Sequence, residues 1–195
     1  MKGPILALLT SLSLLAASAA QAALFTFDVD LNGANEVPAA LTPGTGIALV
    51  VVDTTAMTMS INASFTDLLG TTTASHIHCC TVPLPTASVA TQVPTFAGFP
   101  LGVSSGVFSN TFDMTLASSF NPTFVTNNGG TLGSAFLALL TGMLEGRSYL
   151  NIHSTAFPGG EIRGTLNLVP EPGSLALLGM ALVGVFVLRR RRAAL

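Results

Sequence analysis

The sequence predicts an all-β fold: an antiparallel β-sandwich or barrel-like domain with one short helix, followed by a C-terminal transmembrane helix. Three observations lead there. Apolar and polar residues alternate over several short runs, the period of a half-buried strand. The connections between them are rich in Gly and Pro, as in sandwiches and barrels. One segment near Leu132 shifts to a helical period.

Taken in order, the chain starts with Lys2, an apolar run Ile5–Leu15 and small residues ending in Ala20-Gln21-Ala22. That order of charge, apolar stretch and A-x-A site is a secretory signal peptide over residues 1–22, with cleavage after Ala22. Leu24–Asn32 then alternates, with Phe25, Phe27, Val29 and Leu31 on one face and Thr26, Asp28, Asp30 and Asn32 on the other. Gly44–Asp53 and Met57–Phe65 form a hairpin across Thr54-Thr55-Ala56. Its second strand turns Met57, Met59, Ile61, Ala63 and Phe65 to one side. Ser104–Met114, Tyr149–Ser154 and Glu161–Leu168 read as further strands.

The helix places Leu132, Ala135, Phe136, Leu139, Leu140 and Met143 on one stripe. Thr131 caps its start and Gly146 closes its end. Its expected role is core, covering an open end or face of the β-structure. Pro83–Leu101 carries four prolines and no clear period. A loop of that length in a compact domain is often functional.

Charge narrows the function classes. Between the two ends only Arg147 and Arg163 remain of seven Lys and Arg, while all acidic residues but Glu171 remain of nine. The balance is −6 with no lysine, so nucleic acid is excluded as a partner, because phosphate neutralisation needs Lys and Arg. Asp28-Val-Asp30-Leu-Asn32-Gly33 starts like an EF-hand loop. Its twelfth position is Ala39, preceded by Pro38, so no bidentate glutamate is supplied and the match is by chance. No nucleophile elbow, phosphate-binding glycine loop or acid/base carboxylate pair is present, and no enzyme is expected.

The densest chemistry is Ser75-His76-Ile77-His78-Cys79-Cys80. On a strand, His76 and His78 project from one face and can chelate a single metal. A second polar cluster surrounds Phe157-Pro158-Gly159-Gly160, turn residues between two strand-like runs. A hairpin symmetric about Phe157 sets His153 opposite Glu161 and Asn151 opposite Arg163. His153 and Glu161 would then complete a four-ligand set with His76 and His78, suited to Zn or Cu. The competing reading is a hydrogen-bonded polar stripe that sets register. For Cys79 and Cys80 in an oxidising compartment, a disulfide between neighbours or pairing between two molecules comes first, and metal ligation second.

Along the whole middle, three blocks resemble a CHRD domain. They are Asn32-Gly33-Ala34-Asn35-Glu36-Val37-Pro38, His76-Ile77-His78, and Tyr149–His153 with Pro158–Gly164. The resemblance covers roughly residues 23–168 and implies a β-rich extracellular domain without a settled reaction. Where such domains often follow H-x-H with Gly and Pro, this chain has Cys79-Cys80. The H-x-H strand is also similar to the copper-binding stretch of Cu/Zn superoxide dismutase. That match ends at His76 and His78, with His153 as the third histidine.

Residues 169–195 hold Pro170-Glu171-Pro172, the apolar run Leu175–Leu188 and Arg189-Arg190-Arg191-Arg192. The run is at the short end for a transmembrane helix, and the arginines stay cytoplasmic. This order resembles a PEP-CTERM sorting signal. It implies an exosortase partner, a passage through the inner membrane, and delivery to the cell surface or extracellular matrix of a Gram-negative bacterium. The expectation is an exported, non-enzymatic binding or structural protein that meets a polysaccharide or protein partner and needs no cofactor. The alternative is an extracellular Zn- or Cu-binding protein with weak superoxide-dismutase-like redox activity.

Overall fold

The computed structural model describes residues 24–80 and 86–170, together with residue 179. The expected signal peptide and, apart from Gly179, the expected transmembrane run lie outside the described residues. Among those described, no helix is long and apolar enough to cross a membrane.

The strands are β1 (Leu24–Asn32), β2 (Thr45–Asp53), β3 (Thr58–Thr66), β4 (Thr72–Cys79), β5 (Ser88–Val89), β6 (Gly106–Asp113), β7 (Ser148–Ser154), β8 (Ile162–Thr165) and β9 (Asn167–Leu168). Two helices, α1 (Pro122–Asn127) and α2 (Leu132–Leu144), lie between β6 and β7. All nine strands belong to one antiparallel sheet in the order β5-β4-β7-β8-β1-β2-β3-β6, with β9 also on β1. The sheet curls into a half-barrel, which corrects the sandwich alternative. Its cause is in the pairing. β1 holds β2 along its full length and also pairs with β8 and β9, so the ladder is never divided into two layers.

Alternation sets the register, since a slip of one residue would turn each buried face to solvent. Phe27 pairs with Val50 and Val29 with Ala48, then Val50 with Ile61 and Ala48 with Ala63, all buried. The β2–β3 turn is held by Asp53, whose carboxylate accepts from the Thr55 and Ala56 amides at 2.8 Å. At the other end of the chain Leu168 pairs with Phe27, and the Val169 amide donates to the Thr26 carbonyl at 2.8 Å.

Helix α2 begins at a capping box between Thr131 and Ser134 and ends before Gly146, which has φ 66°. Phe136, Leu139, Leu140 and Met143 pack over Val52, Met59 and Met114, so the helix covers the concave face of the curl. Leu139 is 2 % exposed. Truncating it to alanine should destabilise the fold by about 2–5 kcal/mol, lost transfer energy plus a cavity. Urea unfolding of the Leu139→Ala variant measures this.

β4 departs from simple alternation: Ser75 to Cys79 are five consecutive buried residues. Ile77 and Cys79 face the core, while the opposite face is roofed by the chain that follows. Ala90 N–H donates to Ile77 O, Phe96 N–H to Ser75 O and Gly102 N–H to Thr72 O, so this loop runs back along β4. The described part of the proline-rich segment, residues 86–101, therefore forms an irregular edge whose Ala87 and Pro94 carbonyls reach His78 and His76.

Candidate metal centre

Three histidines meet on the face of β4 and β7 turned away from the core. His76 is paired with Asn151 and His78 with Tyr149, so the residue diagonal to His76 on β7 is His153. Opposite His153 stands Ala74, small enough to let the imidazole lean toward His76. Ring centroids are 5.3 Å apart for His76–His153, 5.9 Å for His76–His78 and 6.0 Å for His78–His153. One ring nitrogen from each lies within 4.8 Å of the other two.

The remaining nitrogens all point at backbone carbonyls. His76 Nε2 lies 2.6 Å from Pro94 O, His78 Nδ1 2.8 Å from Ala87 O, and His153 Nδ1 2.9 Å from Pro158 O. A carbonyl only accepts, so each of these nitrogens carries the proton and donates it. In a neutral imidazole the second nitrogen is then a bare lone pair. Those second nitrogens are His76 Nδ1, His78 Nε2 and His153 Nε2. His78 Nε2 is buried without a hydrogen-bond partner among the described residues. His76 Nδ1 and His153 Nε2 stand 3.4 Å apart, and in these tautomers neither carries a proton.

Electrostatics keeps the rings neutral. Burial pushes His78 down to about 4, opposed by the Ala87 carbonyl and reinforced by His153, His76 and Arg163. Burial also lowers His76 and His153, against the pull of the Pro94 and Pro158 carbonyls. Three converging, unprotonated nitrogens with their far sides hydrogen-bonded form the usual ligand arrangement of a metal-binding histidine set. With metal–nitrogen bonds of about 2.0–2.1 Å, two ligands on a tetrahedral ion lie roughly 3.4 Å apart. The His76–His153 edge already has that length.

Glu161 is not part of this set. The β7–β8 ladder ends at Ile152↔Ile162, and the Glu161 amide reaches back to Ile152 O, after Gly160 with φ 132°. This bend sends the carboxylate to Ser154, on the opposite face of β7 from His153. There it is fully buried and accepts from Ser154 Oγ, Thr42 Oγ1 (2.6 Å) and the Leu69 and Gly70 amides (2.5 and 3.3 Å). Burial pushes its pKa up, but these hydrogen bonds outweigh it and hold Glu161 below the ordinary carboxylate value. Glu161 is a structural staple. The expected Asn151–Arg163 cross-strand pair is present.

Beside Asn151, the cross-strand partner of His76, lies a carboxylate that pattern reading left unassigned, Glu36. Its Oε2 is 3.8 Å from Arg163 Nε and 3.5 Å from Asn151 Nδ2. Desolvation raises it to about 7, against Arg163 and Asn151. Arg163 also lies over the Tyr149 ring at 4.6 Å, and the His78 ring stacks on Tyr149 at 4.8 Å. The signal for Glu36 was its place in the Asn32–Pro38 block, which has no periodicity to reveal where the side chain goes.

Cys79 and Cys80 are joined by a vicinal disulfide. It packs against α2, where a Cβ on Gly142 would collide with both sulfurs. Ser148 Oγ donates to Cys79 Sγ at 3.2 Å. Pro170 is exposed at the end of the described domain, whereas Glu171, Pro172 and Arg189 to Arg192 lie outside the described residues.

Two family models match the chain. That of the CHRD domain covers residues 27–166, and that of the PEP-CTERM protein-sorting motif covers residues 168–192. No curated protein matches, and no solved structure does.

Proposed function

Since the chain belongs to the CHRD domain family and ends in a PEP-CTERM sorting motif, we propose that it is an exported, non-enzymatic metal-binding protein of the cell surface. The motif marks it for exosortase recognition and membrane-associated sorting to the surface of a Gram-negative bacterium. The reading is supported by one observation: one ring nitrogen from each of His76, His78 and His153 lies within 4.8 Å of the other two. The donor set is three neutral imidazoles with no carboxylate. It suits a zinc or copper ion, with one coordination position left for solvent or for a group on a matrix polysaccharide or protein. His153 is the half-exposed member, so that position opens on its side.

The test is elemental analysis of the exported protein purified without chelator. About one zinc or copper per chain is expected, and a stable, folded protein that takes up neither ion rules the reading out. The pH dependence is specific. Metal binding requires deprotonated ligands, and three ordinary histidines would already be protonating near pH 6.5. With His78 at about 4 and the other two lowered, protons compete only in more acid solution. The ion should therefore stay bound to a lower pH than three ordinary histidines would allow, with release falling clearly below about 6.5. Titration of bound zinc against pH reads this, and release centred on 6.5 would contradict it.

A further inference from the structure

We infer that the Cys79–Cys80 disulfide is a redox control on the metal centre: reducing it weakens the hold of the three histidines on the ion. This rests on the metal reading above and adds its regulation. The route is backbone. Ala87 supplies the carbonyl that orients His78, and its own amide donates to Tyr149 Oη at 3.2 Å. Ala87 stands directly before β5, which is held to β4 by two pairs only, His78↔Val89 and Cys79↔Ser88. One of those two pairs therefore belongs to a disulfide cysteine. The other belongs to the ligand itself.

The disulfide holds this corner in a conformation the chain would otherwise leave. Cys80 has φ 98°, a region that side-chain-bearing residues seldom adopt. It is fixed there by the ring with Cys79, by its amide on Arg147 O at 3.1 Å, and by Arg147 Nη1 on its carbonyl at 2.8 Å. When the S–S bond is cut the sulfurs can no longer stay at bonding distance and must separate. The helix side gives no room, because Gly142 already sits against both. The strain is relieved by moving the Cys79–Cys80 backbone, which disturbs Cys79↔Ser88 and with it Ala87.

A reductant has a way in. Cys80 is half-buried and lines a cavity of about 170 Å³ with Asn121, Phe124, Asn127 and Asn128. The co-reactant is an external dithiol. One of its thiolates attacks a cysteine sulfur to form a mixed disulfide, and the second displaces it. Two electrons and two protons pass to Cys79 and Cys80, and the dithiol leaves as its own disulfide.

The experiment uses zinc ion alone as the probe, titrated with a competing chromophoric chelator into full-length protein. One sample is oxidised and one is reduced with dithiol and desalted without air. Loss of one outer-shell partner of a metal ligand usually costs 10–100-fold in affinity, so reduction should weaken zinc binding by that factor and reoxidation should restore it. A Cys79→Ser/Cys80→Ser variant should bind weakly in both conditions. If that variant does not fold, the wild-type pair of titrations decides alone. Equal affinity in the two states overturns this inference while leaving the metal centre intact, and so does tighter binding after reduction. Absence of zinc binding in both states overturns the metal centre and the control together.

Discussion

Replacing Glu161 with alanine is expected to destabilise the domain by about 3–5 kcal/mol, a large share of the roughly 5–15 kcal/mol that holds a domain of this size together. The carboxylate accepts from four donors drawn from three places: Thr42 ahead of β2, Leu69 and Gly70 ahead of β4, and Ser154 at the end of β7. Hydrogen bonds to a charged group contribute about 1.5–3 kcal/mol each, and amides left buried without a partner cost about 1–3. These are not additive, which keeps the total below their sum. Urea denaturation at pH 7 measures the loss. Glu161→Gln should lose less, since the amide oxygen still accepts, although its NH₂ now faces donors.

The same residue gives a pH signature with a definite sign. Its folded pKa lies below the unfolded value, so its stabilisation is fully present above the unfolded pKa of about 4.3. It is lost as pH falls through the depressed folded value. Wild-type stability should therefore drop more steeply than that of Glu161→Gln as the solution is taken below about pH 4. Parallel acid titrations of the two unfolding midpoints would show no such role.

The second large effect is on the proposed metal binding. Removing any one ligand, His76, His78 or His153, should weaken zinc or copper binding by at least about 100-fold, because loss of an outer-shell partner alone costs 10–100-fold. The fold should survive best in His153→Ala, whose ring is the least enclosed of the three. If His153→Ala keeps wild-type affinity, the ion is not held by this triad. Substituting Glu161 by glutamine should leave the affinity unchanged, since its carboxylate is on the other face of β7. That comparison separates the site described here from a four-ligand set including Glu161.

Much of the fold was legible because it depends on side-chain periodicity. β1 begins and ends at Leu24 and Asn32 as alternation says, and α2 begins at Leu132 after its Thr131 cap. The Asn151–Arg163 pair follows from turn chemistry alone. The departures share a physical cause: they are made by backbone. Gly160 at φ 132° turns Glu161 to the core side of β7, and no letter in the sequence records a bend. The partners that set the histidine tautomers are the carbonyls of Ala87, Pro94 and Pro158, two of them prolines that would be read only as turn residues. α1 was missed because it spans six residues, too few for a period to appear.

The β9–β1 pairing also sets where the sorting motif begins: Leu168, the last residue of β9, is the first that the motif's family model matches. The chain is zipped to Thr26 through Val169, and in the sequence only five residues, Pro170 to Ser174, separate that bond from the apolar run that starts at Leu175. At about 3.3–3.6 Å per residue their greatest span is under roughly 20 Å. Exosortase recognition of the motif therefore starts within that reach of the β1 edge. Severing β9 from β1 would lengthen that reach.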